Sequence, residues 1–322
     1  MSRYELVPEL QAYVAACAQF ETDTADLPTQ REQFARSSRH FTGAAGQVVW
    51  DDDQVDTVPV RIYRPDGQPP DGGWPVVLYL HGGGWGLGDH TTHDWFAFAV
   101  MRRLSVAVVA VAYRLAPEHP FPAPLEDAMA VWNALSSGRW STLSVTRLAV
   151  AGDSAGGTLA AGLCLSLRDL EHPQPLLQML VYPILTARSE LASMVKHAHA
   201  PLLSAADVFE AIKSYAPTVR ELMNSRAFPL DAENHQRLAP AFIGVAEFDP
   251  LYDHGVAYAQ ALRNGGVPVR LFVGEGLVHG ALRATGVKEV ECFYDALVEA
   301  LAGAFRLITA GSGAPWIDQD EL

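Results

Sequence analysis

The chain has 322 residues, 49% of them hydrophobic and 19% charged, proportions that suit a folded core rather than a disordered chain or a coiled coil. With 23 basic against 37 acidic side chains the formal charge is −14, which repels both a polyphosphate backbone and an anionic bilayer. Nucleic acid is therefore excluded as a partner, and the longest apolar runs, Leu104–Ala112 and Leu176–Tyr182, fall short of the ~20 residues that span a membrane.

The first residues, MSRYELVPELQAYVAACAQFETD, have no basic stretch, no continuous apolar core and no small-residue cleavage site, so a cytoplasmic address is expected. Leu6, Leu10, Tyr13, Val14 and Cys17 recur at three- and four-residue intervals and predict a helical arm over residues 1–45. After Gly46 the pattern turns extended. Val55–Tyr63 alternates, whereas Val76–Leu80 and Val106–Val111 are apolar throughout. Leu148–Ala151, Leu177–Tyr182, Ala241–Val245 and Val269–Val273 add four more strands, with helical patterns between several of them.

Runs of this kind fit a sheet covered on both faces, and crossover helices imply mostly parallel strands, so a doubly wound α/β domain is expected from residues 46–185 and 238–310. Residues 186–237 carry helical pieces at Ala205–Tyr215 and Val219–Ser225 but no strand. They read as an insertion over the sheet, placed to exclude water and shape a pocket. The glycine-rich, acidic residues 311–322 read as a flexible tail. Cys17, Cys164 and Cys292 are far apart and lack metal-ligand spacing, so reduced, buried thiols are expected. An exposed edge at Val269–Val273 would suit a homodimer contact.

The sharpest chemical signal is Gly152-Asp153-Ser154-Ala155-Gly156, which directly follows one predicted strand and precedes a small-residue helix, Gly157–Leu167. A serine in G-x-S-x-G sits on a tight strand-to-helix turn that presents its Oγ, with helix N–H groups favouring negative charge beside it. His81-Gly82-Gly83-Gly84-Trp85 follows the strand Val76–Leu80. Consecutive glycines let backbone N–H groups approach a developing oxyanion.

A serine at its normal pKa needs a general base. In a sheet of this kind the acid and then the histidine follow the serine, which favours His279, just past the last predicted strand, over His254 and His235. Asp249, in the loop after Ala241–Val245, is the best acid, since Asp253 is placed to cap the next helix and Glu247 still abuts the strand. The Tyr113–Pro124 block is proline-dense and reads as a rigid structural connection, with Glu126 and Asp127 opening the following helix.

HGGGW at 81–85, YRLAPEHPFPA at 113–123, GDSAGG at 152–157, DPLYD at 249–253 and VHG around His279 resemble, in order, the blocks of the hormone-sensitive lipase family of α/β-hydrolase esterases. The likeness runs from about Val48 to Phe305, departing at Tyr252 and His254, where that family commonly has arginine and an acid. It implies Ser154, Asp249 and His279 as nucleophile, acid and base, and the backbone of Gly83, Gly84 and Ala155 as oxyanion hole. It further implies a helical cap made from the arm and the insertion, and carboxylester hydrolysis on short to medium acyl chains. No metal or cofactor is required by that chemistry. Trp85, Leu202, Leu203 and Phe209 are the expected apolar pocket wall for a small uncharged ester. An amidase or deacetylase with the same three residues, or a non-catalytic small-molecule receptor, is the alternative.

Overall fold

The computed structural model describes residues 4–21 and 26–306, so the tail expected at 311–322 lies outside it. The arm consists of α1 (Pro8–Cys17), opened by its proline, and α2 (Leu27–Phe41), whose Asp26 carboxylate accepts the Thr29 amide at 3.0 Å. Next comes a hairpin of β1 (Val48–Val55) and β2 (Val58–Pro65), in which Val55 faces Val58 and Asp56 takes φ 52° at the turn. The strand expected at Val55–Tyr63 therefore joins the end of one strand to the start of another. β1 carries Trp50 and three exposed aspartates, so only its last residue is buried and it shows no apolar period.

The central units follow in alternation: β3 (Trp74–Leu80), α3 (Asp94–Met101), β4 (Ala107–Val111), α4 (Ala123–Ser136), β5 (Leu143–Asp153), α5 (Ala155–Asp169) and β6 (Gln178–Val181). The insertion holds α6 (Ala192–Lys196), a two-residue-per-arm hairpin of β7 (His199–Ala200) and β8 (Leu203–Ser204), α7 (Ala205–Tyr215) and α8 (Val219–Leu222). The small hairpin corrects the expectation of no strand there; two paired residues are too few to carry a period. β9 (Ala241–Phe248), α9 (Tyr252–Asn264), β10 (Val269–Val278) and α10 (Lys288–Arg306) complete the chain.

The sheet order is β1-β2-β4-β3-β5-β6-β9-β10, antiparallel where β2 meets β1 and β4 and parallel from β4 to β10. Strand order reverses around β3, since β4 lies on one side of it and β5 on the other. Such a switch point leaves a crevice at the carboxyl ends of the strands. Strand residues alternate between two cores: Val76, Leu78 and Leu80 meet α4, α5 and α9, while Val77 and Tyr79 meet α3 and α10.

The proline-dense block links β4 to α4 and is tied down from both ends. The Arg114 backbone and guanidinium donate to the buried Asp127 carboxylate, at 2.8–3.0 Å, in the first half of α4. From the arm, Arg31 donates to the carbonyls of Gly86 (2.9 Å) and Ala116 (3.2 Å) and pairs with Glu118 at 2.8 Å. All three cysteines are free. Cys17 and Cys164 are buried, but Cys292 is exposed, because it lies on the outer face of α10 beside the inward Phe293.

Phe293 is fully buried where α10 crosses β9 and β10, with its ring 6.2 Å from that of Phe242 and 5.2 Å from that of Phe272. Truncating such a ring leaves a cavity between helix and sheet. Phe293→Ala is expected to lower the free energy of unfolding in urea by about 3–5 kcal/mol. A loss under about 1 kcal/mol would contradict this packing.

Candidate active site

Ser154 follows the last residue of β5 and occupies the N-cap position of α5 without a side-chain capping bond, with φ 53° and ψ −121°. That backbone is strained for a serine, at a cost of about 1–3 kcal/mol, and persists because its surroundings leave no alternative. Its amide donates to the Val181 carbonyl at 2.8 Å, continuing the pairing of β5 with β6. The turn also needs room. A Cβ at Gly152 would stand 2.2 Å from the Gly156 carbonyl oxygen, and a Cβ at Gly156 would stand 1.9 Å from that of Leu80. Both glycines of G-x-S-x-G are thus required by contact with backbone, one within the turn and one against the end of β3.

Three loops at the carboxyl ends of β5, β9 and β10 bring three side chains together. His279 Nε2 lies 3.0 Å from Ser154 Oγ, and His279 Nδ1 lies 2.8 Å from Asp249 Oδ2. Asp249 is completely buried, and its Oδ1 accepts the Leu251 amide at 2.8 Å. A carboxylate fixed in this way requires the proton on Nδ1, which turns Nε2 into an acceptor aimed at the serine hydroxyl. The Tyr182 ring packs against the imidazole at 4.6 Å.

The other histidines and carboxylates weighed from sequence lie elsewhere. His254 is buried in α9, where its Nδ1 accepts the Leu185 amide at 3.1 Å, and burial pulls its pKa down to about 4. His235 bonds to the Pro229 carbonyl at 2.9 Å. Asp253 does not cap α9: the N-cap is Leu251, and the Asp253 carboxylate instead accepts the Ser193 amide of α6 at 2.7 Å. It ties the insertion to the helix.

Asp153, beside the nucleophile candidate, anchors the glycine loop. Its Oδ1 accepts the Gly82 amide at 2.8 Å and the Tyr79 hydroxyl at 2.6 Å, and its Oδ2 is 3.6 Å from His93 Nε2. Tyr113 stacks on His81 at 4.2 Å and donates to its carbonyl at 2.6 Å. Gly83 adopts φ 115°, and a Cβ there would lie 2.4 Å from the Leu87 carbonyl oxygen; the Gly83 carbonyl is taken by the amides of Gly86 and Leu87. Gly83 and Gly84 consequently face the same space as Ser154. Ala155 is the first residue of α5, where the helix's own carbonyls offer its N–H no acceptor.

That space is a cavity of about 620 Å³, lined by Ser154 and His279, by arm residues such as Cys17, Phe34 and Ser37, and by Leu202, Leu203 and Val208 of the insertion. Two expected wall residues are not in it. Trp85 is fully buried beneath the loop, stacked at 4.1 Å on Tyr215. Phe209 is 39% exposed on the outer side of α7, one residue past the inward Val208. Helical direction decided this, and composition could not reveal it. His93, Asp153 and Arg283 also line the cavity, and no motif role in the sequence marks them for it. Asp153 stood inside the G-x-S-x-G motif and was the one with a local signal. Among the described residues no group of three or more His, Cys, Asp or Glu is placed to hold a metal ion, and no helix is long and apolar enough to cross a membrane.

A family model described as the alpha/beta hydrolase fold matches residues 77–283, from β3 to just past His279. This chain is an α/β-hydrolase. It stands in the hormone-sensitive-lipase-like group of these hydrolases, and several of its relatives are named for ester hydrolysis. Esterase LipI of Mycobacterium tuberculosis is 42% identical over 231 residues, covering 70% of this chain and 72% of the relative. The ethyl acetate hydrolase of Pseudomonas putida is 33% identical over 301 residues, covering 88% and 94%. Among solved structures, a bacterial heroin esterase superposes with a TM-score of 0.83 at 31% identity, covering 94% of this chain and 98% of that one. A thermostable esterase from Pseudomonas putida gives 0.87 at 25% identity, covering 95% and 99%.

In this α/β-hydrolase the Asp153 carboxylate is buried, which alone would raise its pKa, but His93, the Tyr79 hydroxyl and the Gly82 amide hold it down to about 2. A depressed carboxylate contributes stability above its unfolded value and loses it as pH falls toward the folded one; here that is on the order of 2 kcal/mol. Relative to the parent, Asp153→Asn should therefore lose less stability between about pH 4 and pH 2 in acid-unfolding experiments. Identical acid slopes for the two proteins would show that Asp153 carries no such charge.

Proposed function

We propose that the chain is a serine carboxylesterase that hydrolyses short- to medium-chain carboxylic esters through an acyl-enzyme on Ser154. The contact that carries this reading is the imidazole of His279, within hydrogen-bond distance of Ser154 Oγ on one side and of the buried Asp249 on the other. Ser154 Oγ adds to the ester carbonyl carbon while its proton passes to His279 Nε2. The amides of Gly83, Gly84 and Ala155 receive the oxyanion. Collapse of the tetrahedral adduct breaks the ester C–O bond, and the alcohol leaves with the proton from His279. Water then attacks the acyl-enzyme, giving its proton to the same nitrogen, and the free acid departs with Ser154 restored.

Asp249 orients the imidazole and stabilises its protonated form without taking the proton. The arm and residues 186–237 act as the cap over this site, each supplying part of the cavity wall and leaving the substrate little contact with water. The expelled group is an alcohol in the relatives named for ester hydrolysis, which favours an ester over an amide. β10, at the edge of the sheet, is the strand through which two copies would pair as a homodimer.

Ser154→Ala should keep its far-UV circular dichroism and lose hydrolysis of p-nitrophenyl butyrate by at least ~10³-fold. Asp249→Asn, which favours the wrong tautomer of His279, should fall by roughly 10⁴-fold in kcat. A Ser154→Ala protein within tenfold of the parent would refute the mechanism.

A further inference from the structure

The cavity holds a cation that ester hydrolysis does not use. Arg283 follows His279 by four residues, its Nη2 is 4.0 Å from where a Cβ on Gly280 would stand, and it lines the same cavity as the general-base candidate. The arm holds it rigidly. Nε donates to Tyr13 Oη at 3.0 Å, Nη1 to Ser37 Oγ at 3.2 Å, and Nη2 reaches Cys17 Sγ at 4.0 Å. The rings of Tyr13 and Phe41 stand 5.9 and 5.7 Å from its central carbon. Tyr13 is fixed in turn by donating to the Gly280 carbonyl at 2.8 Å.

All three of these partners are neutral groups. Among the described residues Arg283 forms no ion pair, whereas Arg31, Arg61, Arg103, Arg114 and Arg168 each meet a carboxylate. A guanidinium has five N–H donors, so one on each terminal nitrogen is left over. Charges withdrawn from water are ordinarily paired, and the planar fork of arginine matches a carboxylate in two parallel hydrogen bonds. The carboxylates among the described lining residues do not fill this role: Asp153 is engaged by Tyr79 and Gly82, and Glu21, Asp207 and Glu210 are exposed, where water screens them.

We propose that Arg283 is a specificity-determining residue that receives a carboxylate carried by the substrate, so that the preferred esters are half-esters of dicarboxylic acids or comparable monoanionic esters. This rests on the carboxylesterase reading above and narrows its substrate class. It also revises the uncharged ester expected from the apolar wall residues: the wall is apolar at Leu202 and Leu203, but its arm side presents an oriented cation.

The test compares monoethyl succinate with its neutral isostere ethyl succinamate, together with p-nitrophenyl acetate as a general ester. In the parent, kcat/KM for monoethyl succinate should exceed that for ethyl succinamate by at least ~10-fold, the range expected of a charge-assisted bidentate contact. That ratio should collapse toward one in Arg283→Met and be partly kept in Arg283→Lys, which retains the charge without the fork. A merely structural arginine would lower both rates together and leave the ratio unmoved, which overturns the proposal. A parent that hydrolyses p-nitrophenyl acetate but does not favour the charged half-ester overturns it as well, with no variant needed. A parent inert toward all three esters overturns the carboxylesterase reading first.

Discussion

The approach of the Ser154 turn to the end of β3 sets the geometry on which the rest of the site depends. Gly156 meets the Leu80 carbonyl so closely that no side chain fits between them. Two elements that the site needs are thereby forced side by side: the helix that starts at Ala155 and the glycine loop that starts at His81. Asp153 locks the pair by accepting from the Gly82 amide across the same gap. The Ser154 turn and the glycine loop are held together by the contact of α5 with the end of β3 and by the Gly82–Asp153 hydrogen bond. On the mechanism proposed above, donors held in place beforehand need no reorganisation during the reaction.

From that contact the remaining parts follow by topology. Parallel strands present all their carboxyl ends on one side, so loops after β5, β9 and β10 can converge although their residues are 95 and 30 positions apart in sequence, from Ser154 to Asp249 and from Asp249 to His279. The arm and the insertion lie outside this alternation. Arm and insertion both line the cavity, and both are fastened by charged groups: Arg31 to the block after β4, Asp253 to α6. Polar ties thus fasten both segments to the α/β domain around the cavity.

Much of this was legible in the chain because the decisive signals are local. Gly152–Gly156 and His81–Trp85 each follow an apolar run, and their chemistry needs only a strand before and a turn after. The runs at Val76, Val106 and Ala241 are apolar on both faces, which marks central strands; β1 lacks that mark because its edge position leaves Trp50 and Asp51–Asp53 in water. Side-chain direction was out of reach. Trp85 and Phe209 were assigned to the wall by type, but one lies under the loop and the other on the outer face of α7, and only the packing of their elements determines that. The Arg283 cluster was invisible for another reason: its partners Tyr13, Cys17 and Ser37 come from the opposite end of the chain, and no spacing rule links them.

Activation of the Ser154 hydroxyl by an imidazole on a buried carboxylate is the step on which the proposed hydrolysis turns. It is tested most directly by treating the native protein with a slight excess of diethyl p-nitrophenyl phosphate and recording the intact mass, followed by peptide mapping. The expected product carries one diethylphosphoryl group per chain, located on Ser154, formed in step with the loss of esterase activity. An unmodified Ser154 in a fully inactivated protein, or activity that survives complete modification of Ser154, would contradict it.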